Sequence, residues 1–84
     1  MGKRGRQLPP LSFAEMDCVV RADGWRRVVG TKHENYEHPT KGGKISLDKK
    51  WTGVLPGSWV FRSVLQQASL TRTEFEALYW ANCR

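Results

Sequence analysis

The chain has little from which to build a deep pocket, a metal centre or a membrane anchor. Its two cysteines, Cys18 and Cys83, stand far apart in sequence, with no CxxC spacing and no histidine at metal-ligand distance. That argues against a zinc ribbon. A disulfide framework is not expected either, so a reducing cytoplasm is the expected compartment. No apolar run approaches the roughly 18 residues of a membrane-spanning helix, and the N-terminus lacks a signal-type apolar segment. No Walker loop, GxGxxG, GxSxG, HExxH or DxD arrangement occurs. The carboxylates Glu34, Glu37 and Asp48 are scattered, so neither a metal nor a cofactor is expected. Histidine occurs only twice, at His33 and His38.

What the chain does have is positive charge. Fourteen Lys/Arg against eight Asp/Glu give a net charge of +6 over 84 residues. Residues 1–30 carry six basic side chains against three acids, as do residues 31–62, whereas residues 63–84 are balanced at two each. Excess cationic charge favours a polyanion, because binding releases condensed counterions. A chain this short forms one domain and buries roughly 60–65% of its unfolded surface. Its 39% hydrophobic content, with four tryptophans, suffices for one layer of helices on a sheet. A small enzyme of this kind works from an open surface on an extended polymer.

Residues 1–11 hold Lys3, Arg4, Arg6, Pro9 and Pro10 and read as a flexible basic arm before a single domain over 12–84. Ser12 and Glu15 form a capping box that starts a helix. Phe13, Met16, Val19 and Val20 supply its apolar face, and Gly24 is a suitable stop. Bulky and β-branched residues over Trp25–Val29 predict a first strand, despite adjacent Arg26 and Arg27. A turn at 30–32 leads to a strand over His33–His38, and a Gly-rich hairpin loop at 39–43 leads to a third over Lys44–Asp48. Ile45 and Leu47 turn inward from that third strand. Ser58 caps the next helix, whose inner face is Phe61, Val64, Leu65 and Ala68. Thr71 and Glu74 open a short terminal helix that buries Phe75, Leu78 and Tyr79. This order predicts an α+β fold with helices on one face of an antiparallel sheet.

His33 is the sharpest candidate for chemistry. RNA phosphodiester cleavage needs a base for the 2′-hydroxyl or an acid for the leaving oxygen, and imidazole titrates near neutrality. Lys32 beside it could hold the phosphate, provided Lys32 belongs to the turn, since adjacent strand residues face opposite ways. The competing reading is a surface histidine in a hairpin. His38 falls on the opposite face from His33, beside Pro39, and is expected to pack or cap the loop. Lys41, Lys44, Lys49 and Lys50 flank the third strand, and Arg62 opens the following helix, a placement suited to phosphates. A solvated charged face is the alternative there. Trp51 and Trp59 could stack bases, but packing is the expectation for both.

Taken in order, several blocks resemble the HicA toxins of bacterial and archaeal toxin–antitoxin systems. They are Asp23-Gly24-Trp25, Gly30-Thr31-Lys32-His33, Tyr36-Glu37-His38-Pro39-Thr40, Leu55-Pro56-Gly57-Ser58, and the run from Phe61 to Thr71. The likeness covers residues 12–78 or so. It implies a double-stranded-RNA-binding-domain-like fold, a helix, three antiparallel strands and a helix, here with a short C-terminal helix. It also implies a ribosome-independent, metal-independent endoribonuclease acting on mRNA, neutralised by a HicB-type antitoxin that covers the active site. The family's histidine, three residues before a strand aromatic, falls on His33, with Lys32 as an extra turn residue. Lys32, Lys41, Lys44 and Arg62 are then the candidate RNA contacts in a toxin that is monomeric alone. Ser69 stands where the family usually has glycine. Two rival readings are a non-catalytic RNA-binding module and a degenerate toxin that only binds its antitoxin.

Overall fold

The computed structural model describes residues 7–28 and 34–83 of the chain. Helix α1 spans Phe13–Ala22. Its capping box is formed as expected: the Ser12 hydroxyl accepts from the Glu15 amide, and Glu15 Oε1 accepts from the Ser12 amide at 2.8 Å. Those two bonds occupy donors that a helix start otherwise leaves unpaired. Strands β1 (Arg26–Val28), β2 (Glu34–Glu37) and β3 (Ile45–Leu47) form an antiparallel sheet in the order β1-β2-β3. Helices α2 (Trp59–Ala68) and α3 (Arg72–Asn82) complete the fold. α1 packs against α3, and α2 packs along β3. The architecture is α+β, with a three-stranded sheet and three helices among the described residues.

Each strand stops short of the sequence pattern at an end that is described. Trp25 precedes β1 rather than belonging to it, and only 2% of its surface is exposed. His38 follows β2. The expected strand ends at Val29 and His33 lie outside the described residues. The C-terminal helix, expected to be short, has 11 residues and is longer than either of the others. Two satisfied capping boxes, at Ser12 and Thr71, fix the starts of α1 and α3.

The paired arginines that spoil the alternation of β1 are explained by register. Arg27 pairs with Tyr36, and Tyr36 with Ile45, so these three share the inner face; Glu34 and Leu47 form the neighbouring inner row. Arg27 can face inward because acids meet it there. Its guanidinium lies 2.9 Å from Glu34 and 3.8 Å from Asp17 of α1. Asp17 also pairs with Arg21 at 3.0 Å and accepts the Tyr36 hydroxyl, while Lys49 reaches Glu34 at 3.3 Å. Burial, and then that bond to Asp17, push the Tyr36 phenol above its ordinary pKa, so it stays protonated. Arg26, Val28, Asn35, Glu37 and Ser46 fall on the outer face.

The core combines Met16, Val19 and Val20 of α1 with Tyr36, Ile45 and Leu47 of the sheet, Phe61, Val64 and Ala68 of α2, and Phe75 and Tyr79 of α3. Leu65 and Leu78, expected in it, are only partly buried. Two further members correct the described part of the arm assigned to residues 1–11, whose Lys3, Arg4 and Arg6 lie outside the described residues. Leu8 and Leu11 are buried, and Leu11 pairs with Val54 through backbone bonds of 2.8 Å in both directions. Apolar burial of this kind outweighs the local polar composition, so the folded unit begins before Ser12.

The cysteines are a second correction. Cys18 on α1 and Cys83 after α3 are joined by a disulfide with Cα atoms 5.9 Å apart. The sequence spacing concealed it because α1 and α3 become neighbours only in the tertiary structure. Tyr79 helps to bring them together, donating from its hydroxyl to Glu15 Oε2 at 3.2 Å.

Ser69, at the end of α2, adopts the left-handed conformation with φ +56° and is the sole non-glycine residue with positive φ among those described. An L-residue there carries a strain of about 1–2 kcal/mol. Glycine removes it but adds roughly 0.5–1 kcal/mol of unfolded-state entropy. Ser69→Gly is therefore expected to range from neutral to about 1 kcal/mol stabilising, read from the urea midpoint. Clear destabilisation would show that the Ser69 side chain contributes more than its backbone strain costs.

Candidate nucleic-acid interface

Of the two histidines, His38 is fully described, and its ring is built into the fold. Nε2 lies 2.9 Å from the Asp23 carbonyl, while Nδ1 faces the amides of Thr40 and Lys41 at 3.1 and 3.0 Å. One tautomer satisfies all three: Nε2–H donates to Asp23, and Nδ1 accepts both amides. The ring also meets Trp25 edge-on, with centroids 5.1 Å apart. Gly24 is required beneath it, because a Cβ there would sit 2.9 Å from Nε2 and the residue has φ +100°. His38 thus ties the end of α1 to the β2–β3 loop. It is the loop-capping residue that the sequence predicts.

His33 and Lys32 lie outside the described residues. In sequence they come immediately before Glu34, whose carboxylate joins Arg27 and Lys49 on the inner face. Lys41 has a different place from the one expected. Its ammonium lies 2.6 Å from Asp23 Oδ2 and donates to the carbonyls of Ala68 and Ser69 at 3.1 and 3.4 Å. Three acceptors take its three protons. Lys41 closes the C-terminal end of α2, where carbonyls lack helical partners, and has no proton left over for a phosphate.

Lys41→Met should cost roughly 1–3 kcal/mol, because bonds to a charged donor are lost and acceptors are left unpaired. RNA affinity should not change. A thermal melt alongside an RNA titration checks both, and a selective loss of RNA affinity would return Lys41 to the binding surface.

Lys44 and Arg62 remain exposed, and no hydrogen bond or ion pair is found for either side chain among the described residues. Lys49 is paired with Glu34 but is half-exposed. Lys50 is exposed next to Trp51. Separately, Arg26, Arg27, Val28, Glu37, His38 and Pro39 line a hollow of about 330 Å³. It carries both charge signs and is no basic track.

The tryptophans divide differently from expectation. Trp51 is partly buried against the core, as the packing reading has it, but Trp59 is 74% exposed. Trp59 stands two residues before Phe61, and at about 100° per residue that puts it nearly opposite the buried face of α2. The helical wheel therefore contained the signal. Trp59 and Leu55 are the exposed large hydrophobic residues. Beside Trp59, a cleft of about 180 Å³ runs between α2 and β3.

Among the described residues, no group of three or more His, Cys, Asp or Glu side chains could hold a metal ion. No helix there is long and apolar enough to cross a membrane. No protein-family model matches the chain, and no curated protein matches it in sequence.

Proposed function

We propose that this protein is a HicA-type toxin, a small endoribonuclease that cleaves mRNA and is held inactive by a HicB-type antitoxin. The helix–three-strand–helix order fits the double-stranded-RNA-binding-domain-like arrangement of that reading. The observation that carries it is the state of the histidines. His38 has both ring nitrogens committed to backbone partners, so acid–base work near neutrality falls to His33.

In this mechanism His33 takes the 2′-hydroxyl proton or supplies one to the leaving 5′-oxygen, and water carries the other proton. The 2′-oxygen attacks phosphorus and the bond to the 5′-oxygen breaks. The products are a 2′,3′-cyclic phosphate and a 5′-hydroxyl. Lys32 beside His33 offsets the charge that builds on the phosphate, and Lys44 and Arg62 contact the RNA backbone. The proposed chemistry needs no metal.

The proposed place of action is the cytoplasm, where the Cys18–Cys83 pair would be reduced. The rest of the core then has to hold the fold without it. Inducible expression in bacteria tests the reading. The wild type should arrest growth with loss of intact mRNA, and His33→Ala should do neither. Arrest with full-length mRNA, or equal arrest by both, would reject it. A small antitoxin reading frame beside the gene is the companion expectation.

A further inference from the structure

The cleft beside Trp59 has the features of a stacking site. It is lined by Ser46, Trp51, Trp59, Val60, Ser63, Val64 and Gln67, so aromatic and aliphatic walls alternate with hydroxyls and an amide. Trp59, Ser63 and Gln67 follow one another at four-residue spacing and share one face of α2. Gln67 is fixed at both ends. Its Oε1 accepts from the Ser46 amide at 2.9 Å and its Nε2 donates to Ser63 Oγ at 3.1 Å. That holds Ser63 and the Ser46 backbone on a rigid frame. At about 180 Å³ the cleft is well below the usual 300–1,000 Å³ of a small-molecule pocket, and it suits one flat ring rather than a whole ligand.

Charge selects the occupant. No carboxylate lines the cleft. Arg62 projects from the next turn of α2, Lys50 adjoins Trp51, and Lys44 lies two residues before Ser46, all three exposed. A ring slot with aromatic, aliphatic and hydrogen-bonding walls, whose lining residues have exposed cations close by in sequence, complements a base with phosphates on both flanks. We propose that Trp59 and this cleft hold one unpaired base of single-stranded RNA, with Arg62, Lys50 and Lys44 on the adjoining phosphates. Base stacking on an exposed aromatic side chain is the usual device of single-strand binding. The proposal rests on the RNA-cleavage reading and adds a contact site remote in sequence from His33.

The test uses a His33→Ala background, so that bound RNA stays intact. Affinity is measured for an unstructured 12-nucleotide RNA, the same strand with abasic positions, and a fully paired duplex. Adding Trp59→Ala should weaken binding to the unstructured strand about 5- to 150-fold, the range that alanine substitution gives for one stacked base. Trp59→Phe should recover much of the loss. Neither the abasic strand nor the duplex should respond to Trp59→Ala, and Leu55→Ala, outside the cleft, should change nothing.

Because Trp59 is exposed, an unchanged melting curve is expected for its variants. RNA binding that Trp59→Ala leaves untouched would overturn the stacking site while the cleavage reading stands, and it would assign the Leu55–Trp59 surface to a protein contact. Failure of the parent to bind any RNA would overturn both.

Discussion

Replacing His33 with alanine should lower RNA cleavage by about 10²–10⁴-fold, the usual contribution of one acid–base group. The melting curve should stay close to that of the wild type. The two halves of that expectation discriminate. A catalytic histidine removes turnover and leaves RNA affinity intact, whereas a histidine needed for packing removes stability first. His38 supplies the contrast within the same chain. Its alanine variant strands the Asp23 carbonyl and two loop amides and should lower stability as well as activity. Cleavage by His33→Ala at the wild-type rate would move the chemistry elsewhere and leave a non-catalytic RNA-binding module as the better description.

Opening the Cys18–Cys83 bridge should have the largest effect on stability. The bond links positions 65 residues apart, so it removes much of the freedom of the unfolded chain. A disulfide typically stabilises by about 2–4 kcal/mol, and one of long span lies towards the upper end. In a domain this small, each kcal/mol moves the melting temperature by roughly 4–8 °C, so the total is on the order of 10–30 °C. A phosphine reductant should lower the melting temperature of the wild type to that of a Cys18→Ser/Cys83→Ser variant, whose own melt should not respond to reductant. An oxidised sample that already titrates two free thiols, or a reductant-independent melt, would contradict the bridge. The outcome also bears on where the protein works. A protein acting in a reducing compartment must remain folded after this loss.

What the sequence made legible was local. Ser12–Glu15 and Thr71–Glu74 announce helix starts within four residues, and both boxes are present. Ile45 and Leu47 alternate as an inward-facing strand should, and both are fully buried. Three features depended on partners distant in sequence. Lys41 looked like a loop cation until folding brought Asp23 and the Ala68 carbonyl to it. Arg27 spoiled a strand pattern because its compensating acids lie on α1 and β2. Leu8 and Leu11 sat among prolines and arginines, and only the pairing of Leu11 with Val54 makes them core.

The candidate site was legible in the same uneven way. His38 was readable as a structural residue from its place beside Pro39 at a strand end. The exposure of Trp59 could have been read from its position opposite Phe61 on the helix. The cleft beside it could not, because it needs β3 and α2 side by side. His33 owes its assignment to sequence pattern and to the occupied ring of His38.

RNA cleavage by the purified protein in excess chelator is the most direct test of a single-histidine ribonuclease. A single-stranded RNA should be cut to fragments ending in 2′,3′-cyclic phosphate and beginning with 5′-hydroxyl. The same sequence made as DNA, or as RNA incubated with His33→Ala, should stay intact. Cleavage that requires an added divalent metal, proceeds on DNA or survives the His33→Ala substitution would contradict the mechanism.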